Sequence, residues 1–221
     1  GMNRLFQGAA TVDSILTGDL IEKAAQAGLR SLFVGFETFS PENLKSSNKN
    51  QNLKRNYENA VKRLHSLGIM INGSFVFGLD YDDKDVFKRT VEWGVKNAIT
   101  TSTYHILTPY PGTRLFKRME DEGRIITRNW DLYDTRHVVY KTRNMTADEI
   151  EQGYNWAYKE FYKWSNIFKA SGNHEISKHK LKHFFYTAGW KKFEPFWNFI
   201  IKTKHLNNMT PVLESILSNV R

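Results

Sequence analysis

The chain has 221 residues, 40 % hydrophobic and 25 % charged, with a formal net charge of +9. Those proportions suit one globular domain with an appendage and exclude wholesale disorder. Cysteine is absent, which excludes disulfides, a thiolate nucleophile, a cysteine-built zinc site and a cysteine-ligated iron–sulfur cluster within these residues. No run reaches the roughly 20 apolar residues of a membrane-spanning helix, and no signal-peptide pattern opens the sequence, so a cytoplasmic location is expected. Gly1 ahead of Met2 reads as a residue appended before a start codon.

Four short apolar runs alternate with helical patterns. The runs are Leu5–Val12, Ser31–Thr38, Ile71–Leu79 and Thr101–Thr108. Their β-branched and aromatic content suits strands covered on both faces, as in a parallel sheet. Leu20, Ile21, Ala24, Ala25 and Leu29 mark a first amphipathic helix, and Tyr57 to Leu67 a second. Val86 to Val95 mark a third and Leu115, Phe116 and Met119 a fourth. Gly28, Gly68 and Gly123 stand where helices end, and Ser40-Pro41-Glu42 is a helix start. Strand and helix recurring about every 30 residues imply βαβ units. The expected fold is therefore α/β: a partial (β/α) barrel of about four parallel units with an α-helical C-terminal extension.

Beyond Gly123 the pattern changes. Residues 124–142 read as a folded aromatic connection, and Thr146-Ala-Asp-Glu149 is a capping box. It is expected to open one long helix with Ile150, Tyr154, Ala157, Phe161, Trp164 and Phe168 on a single face, broken at Ser171-Gly172-Asn173. A basic aromatic helical tail and a last helix from Thr210-Pro211 follow. Three regions result: 1–125, 126–170 and 171–221. From Ile167 onward nine lysines and arginines stand against three glutamates, so most of the excess charge sits in the tail.

Ligands of parallel β/α folds bind at the carboxyl ends of strands. Glu37 and Thr38 end the second run, and a carboxylate there suits ribose hydroxyls, or else an ion pair. Gly78 precedes the acids Asp80, Asp82, Asp83 and Asp85; Asp82 or Asp83 reads as the cap of the next helix and the others as favouring its dipole, more readily than as metal ligands. Thr108-Pro109-Tyr110-Pro111-Gly112 is a stiff turn expected to leave backbone groups unpaired for a flat ring. His105 alternates within its strand and reads as a barrel-lining residue. His137 reads as packing. His179 and His183 have a zinc-compatible spacing but no companion acid. No catalytic residue and no metal ligand is assigned.

The ordered segments G-F-E-T-F-S-P-E-N-L-K, A-V-K-R-L-H-S-L-G-I, G-S-F-V-F-G-L-D-Y-D-D and H-I-L-T-P-Y-P-G-T-R-L-F-K resemble the C-terminal half of a radical S-adenosylmethionine (SAM) enzyme core. The subgroup resembled is the one whose full-length members carry a cobalamin-binding domain. W-D-L-Y-D-T-R-H-V-V-Y and M-T-A-D-E-I-E-Q-G-Y resemble its extra C-terminal domain. The resemblance covers Leu5 to about Phe168. It implies a six-unit partial barrel whose cysteine loop holds a [4Fe–4S] cluster chelated by SAM. It places Glu37 near the SAM ribose, and Gly78 and Tyr110 near adenine, with Thr38, Asp80 and Thr108 as neighbours. The chain is expected to begin at the family's third strand. With no cysteine, no cofactor is expected in this chain and no radical chemistry by it alone.

The resemblance implies a partner as well. A four-stranded parallel piece has two open edges. They are expected to meet the tail, the N-terminal half of a longer enzyme, or a second copy about a two-fold axis. Two other readings stand beside this one. The first is a noncatalytic module whose pocket holds a nucleotide-like ligand while its tail, residues 174–206, binds protein or RNA, against the plainer reading of packed aromatics with solvated lysines. The second is a cysteine-free enzyme using Glu37, His105 and Asp80.

Overall fold

The computed structural model describes residues 5–46 and 54–203. The four runs form β1 (Phe6–Thr11), β2 (Leu29–Glu37), β3 (Met70–Phe77) and β4 (Thr101–Ile106). They lie side by side in chain order, every pair parallel. Between them run α1 (Val12–Leu16), α2 (Leu20–Ala27), α3 (Pro41–Ser46), α4 (Lys54–Ser66) and α5 (Val86–Lys96), with α6 (Arg114–Asp121) after β4. The α/β half-barrel expected from the sequence is present. The short helix α1 was not foreseen. Thr11, the last residue of β1, caps it by accepting from the Ser14 amide, so strand and helix share one residue.

Alternation along the strands separates two faces. Leu32, Val34, Phe36, Ile71, Phe75, Phe77, Tyr104 and Ile106 are buried against the helices. Phe36 is the hub of that layer, with ring centroids 5.3 Å from Tyr57, 5.5 Å from Phe75 and 5.1 Å from Trp93. Ser31, Phe33, Asn72, Thr103 and His105 line the inner face, where Phe33 is 39 % exposed and Thr103 Oγ1 donates to Asn72 Oδ1.

The capping box at Thr146 and Glu149 is present, and it opens α7 (Ala147–Phe161). One long helix was expected to run on to Ser171. Instead the helix stops at Tyr162, and α8 (Trp164–Gly172) starts anew behind Lys163 in an extended conformation. The cause is tertiary: the buried Tyr162 hydroxyl is tied to the backbone of Ser102. Trp164 and Phe168, expected on the buried face, are 50 % and 61 % exposed. The tail forms a single helix, α9 (Ser177–Thr203). The helix expected from Thr210-Pro211 lies outside the described residues.

The two sheet edges differ. Along β4, Tyr162 Oη accepts from Ser102 N and donates back to Ser102 O, and Tyr158 Oη accepts from Tyr104 N at 3.0 Å. Thr135 O accepts from Ile106 N at 2.7 Å. Three successive outward amides are thus satisfied by α7 and the aromatic connection rather than by a fifth strand. On the far side of β1 no strand pairs among the described residues. The described part of the tail crosses the amino ends of β3 and β4, where Thr187 Oγ1 donates to Thr100 O and Lys182 Nζ to Gly68 O.

That crossing brings His65 of α4 against His174, which precedes α9, and His183 of α9. The His65 and His174 rings are 4.6 Å apart and His174 Nε2 is 2.9 Å from His183 Nδ1. Burial, and then the neighbouring histidines, hold His65 and His174 down at about 4 and His183 at about 3.

Two outcomes follow. The Tyr158→Phe, Tyr162→Phe double variant leaves the Ser102 and Tyr104 amides unpaired, at about 1–3 kcal/mol per orphaned group; denaturant titration reads the loss and hydrogen exchange should localise it to β4. The three histidines accept protons in the unfolded chain near pH 6.5 but in the folded chain only near 3–4. Their stabilising contribution is therefore full above pH 6.5 and drains away as pH falls toward 4. Amide exchange in α9, corrected for intrinsic rates, should accelerate between pH 7 and pH 5.

Candidate functional site at the carboxyl ends of the strands

Glu37 is the distinctive residue of this end. It is a non-glycine residue at φ 66°, in the left-handed region where side-chain-bearing residues are strained. The β2–β3 register slips between Gly35 and Glu37. The buried Tyr57 hydroxyl donates to Phe36 O and also lies 3.1 Å from Thr38 O, so α4 clamps the backbone on either side of the strained residue. The left-handed turn folds the carboxylate back over Gly35, where an added Cβ would stand 2.8 Å from Glu37 Oε1. Glu37 thus reaches the inner face. Its charge is felt by His105, whose imidazole is lowered by burial and partly restored by Glu37. His105 Nδ1 is 3.3 Å from Thr135 Oγ1.

The other expected site residues are held by the protein itself. Thr38 is buried and its Oγ1 accepts from Ser40 N. Thr108 is buried and donates to Ile106 O. Gly78, at φ 87°, has its carbonyl engaged by the Tyr140 hydroxyl, and an added Cβ would stand 2.6 Å from that oxygen. The close approach that demands glycine here is made by Tyr140. Asp80 pairs with Arg124 at 2.7 Å and with Arg143 at 3.4 Å, linking the loop after β3 to the aromatic connection. Tyr110 is 47 % exposed at the rim. The turn was expected to leave its backbone groups unpaired, but Tyr110 O accepts from both the hydroxyl and the amide of Thr113 as α6 is capped.

The acids after β3 also depart from expectation. Asp82 was read as a helix cap. It is buried and closes its own loop, accepting from Gly78 N, Leu79 N and Asn43 Nδ2. Burial pushes its carboxyl up, to about 7, against the pull of those donors. Asp83 pairs with Arg89. Among the described residues no group of three His, Asp or Glu could hold a metal ion. Sequence reasoning missed Asn43, Arg124 and Tyr140. Their partners lie 39 to 62 positions away, and no local pattern signals such pairs.

No family model matches the chain. A bacteriochlorophyllide d C-12(1)-methyltransferase of Chlorobaculum tepidum is 35 % identical over 151 residues, which are 68 % of this chain and 33 % of that protein. The C-8(2)-methyltransferase of the same organism is 26 % identical over 148 residues, 66 % of this chain and 33 % of that protein. The chain is similar to part of a radical SAM core. It spans about a third of the length of these curated relatives. A radical SAM methyltransferase of Kitasatospora setae, solved with cobalamin and a [4Fe–4S] cluster, is 18 % identical with a TM-score of 0.46, covering 65 % of this chain and 27 % of that one.

The strain at Glu37 is separable from its carboxylate. Glu37→Gly removes a left-handed penalty of about 1–2 kcal/mol and adds unfolded-state entropy of about 0.5–1 kcal/mol. The Gly variant should match or exceed the wild type in denaturant titration, whereas Glu37→Ala, which keeps the backbone penalty, should not. A loss in Gly as large as in Ala, or larger, would show that the left-handed turn carries no relievable strain.

Proposed function

We propose that residues 5–168 form the wall of a SAM-binding barrel that receives the adenosine end of SAM. Glu37 accepts from the ribose hydroxyls, Tyr110 borders adenine, and Thr38, Gly78, Asp80 and Thr108 hold the rim in shape. The observation that carries this reading is the left-handed, clamped Glu37 at the end of β2. Strain of that kind persists where the fold over-determines it and collects at ligand sites. It coincides with the residue that the resemblance assigns to the ribose.

An iron–sulfur cluster does not fit these residues, because no side chain among them supplies a thiolate. On this reading the chain by itself binds and orients the nucleoside but does not break the SAM sulfur–carbon bond. In a complete site the reaction class is methyl transfer, as the relatives' activities suggest. The edge of β1, which pairs with no further strand among the described residues, is where a strand from a longer chain or from a second copy completes the barrel.

Isothermal titration with 5′-deoxyadenosine or SAM tests the pocket. Binding should be weak and should fall about tenfold in Glu37→Gln, the loss of roughly one charge-assisted hydrogen bond. Anaerobic reconstitution with iron, sulfide and SAM tests the catalytic claim. No 5′-deoxyadenosine should form, and its formation by this chain alone would overturn the proposal.

A further inference from the structure

The opposite end of the sheet carries a second recess that the nucleoside reading does not use. A groove of about 440 Å³ lies between α2 and α9 at the amino ends of the strands, with Arg30, Lys178, His179 and Lys182 in its walls. Beside it lies a cavity of about 20 Å³, walled by His65, His174, His183 and Thr100; His179, Lys182 and Gly68 border both.

The charge of this recess is one-sided. Glu22 also borders the groove, but it is committed to Arg63, with two contacts of 2.7 Å. Arg30, Lys178 and Lys182 form no ion pair among the described residues. The first turn of α9 contains no acidic residue, although the positive end of a helix favours anions. Lys178 and Lys182 sit four apart on that helix, a like-charge spacing that destabilises it. Lys182 feels the result: burial and then Arg30 and Lys178 lower its basicity. Its ammonium gives one hydrogen bond to Gly68 O and has two more to give.

A second observation points to a guest. His183 is 2 % exposed, and its Nε2, like the Nε2 of His65, has no hydrogen-bond partner. A buried nitrogen left unpaired costs about 1–3 kcal/mol. The small cavity beside these nitrogens has room for one water molecule, which could relay them to an occupant of the groove.

Four clustered histidines ordinarily suggest a metal. Here no three of the described His, Asp or Glu residues are placed to hold one, and the unneutralised Arg30, Lys178 and Lys182 repel a cation. An anion answers both the charge and the donors, since Arg30, Lys178, His179 and Lys182 can all donate and the guanidinium and ammonium groups suit phosphate oxygens. We propose that this recess binds a phosphate-type oxyanion, clasped by Arg30, Lys178 and Lys182 and backed by the histidine cluster.

The test is a titration of the 221-residue chain followed through the His179 and His183 ring-proton resonances. Inorganic phosphate and ribose 5-phosphate are the probes, and sodium chloride at equal ionic strength is the reference. Saturable shifts with either phosphate, absent with chloride, are expected. Tighter binding of ribose 5-phosphate would assign the site to a phosphomonoester, and equal binding to free phosphate. Lys178→Gln, at an exposed position that should not disturb folding, should weaken binding about tenfold, and Lys182→Gln at least as much. Lys169→Gln, an exposed charge removal on α8, should leave it unchanged. Shifts that follow ionic strength alone, or that survive Lys178→Gln and Lys182→Gln undiminished, would overturn the proposal. Binding of 5′-deoxyadenosine in the same samples reports separately on the Glu37 end.

Discussion

A parallel sheet that does not close on itself has backbone donors and acceptors at both margins, and they must be satisfied. Here one margin is finished with side chains. The phenolic hydroxyls of Tyr158 and Tyr162 and the carbonyl of Thr135 take the places a fifth strand would supply along β4. Because a phenol both donates and accepts, one tyrosine can serve an amide and a carbonyl of the same residue, as Tyr162 does at Ser102. This arrangement fixes α7 against β4 and ends the helix at Tyr162. It also draws the aromatic connection across the end of the sheet. The margin at β1 has no such finish among the described residues, so the two margins of the sheet differ.

The two ends of the strands are also unlike. At the carboxyl ends, charges are paired: Asp80 with Arg124 and Arg143, Asp83 with Arg89, and Asp82 with backbone amides. Polar groups there are used to hold loops, and Glu37 is set apart by being forced into its conformation. At the amino ends, positive charge is concentrated by the docking of α9 and goes unneutralised. The two proposed sites therefore lie at opposite ends of the strands and would not compete for the same residues.

Much of the scaffold was legible in the chain. Apolar runs such as 31–38, followed by amphipathic spacing and then Gly68, are local signals with local causes, namely period, propensity and the left-handed cap. The capping box at Thr146 was legible for the same reason. The break at Tyr162 was not, since the residues around it remain helix-compatible and the bonds Tyr162 makes there go to Ser102, 60 residues away. At the site, the position of Glu37 at a strand end was readable. Its strain was not, because a left-handed glutamate is imposed by Tyr57 from α4. Gly78 was placed near adenine by the resemblance, and nothing in the sequence signals that Tyr140, 62 residues away, makes the close approach there.

The sequence by itself determined the α/β alternation, the resemblance to a radical SAM core and the absence of any thiolate for a metal cluster. Composition and short-range pattern carry that information directly. Tertiary structure alone decided which carboxylates are engaged, that α9 crosses the amino ends rather than an edge, and that four histidines and three cations converge there. Those outcomes depend on contacts between residues tens of positions apart, whose free energy is set by burial and mutual geometry and leaves no mark on neighbouring residues in the chain.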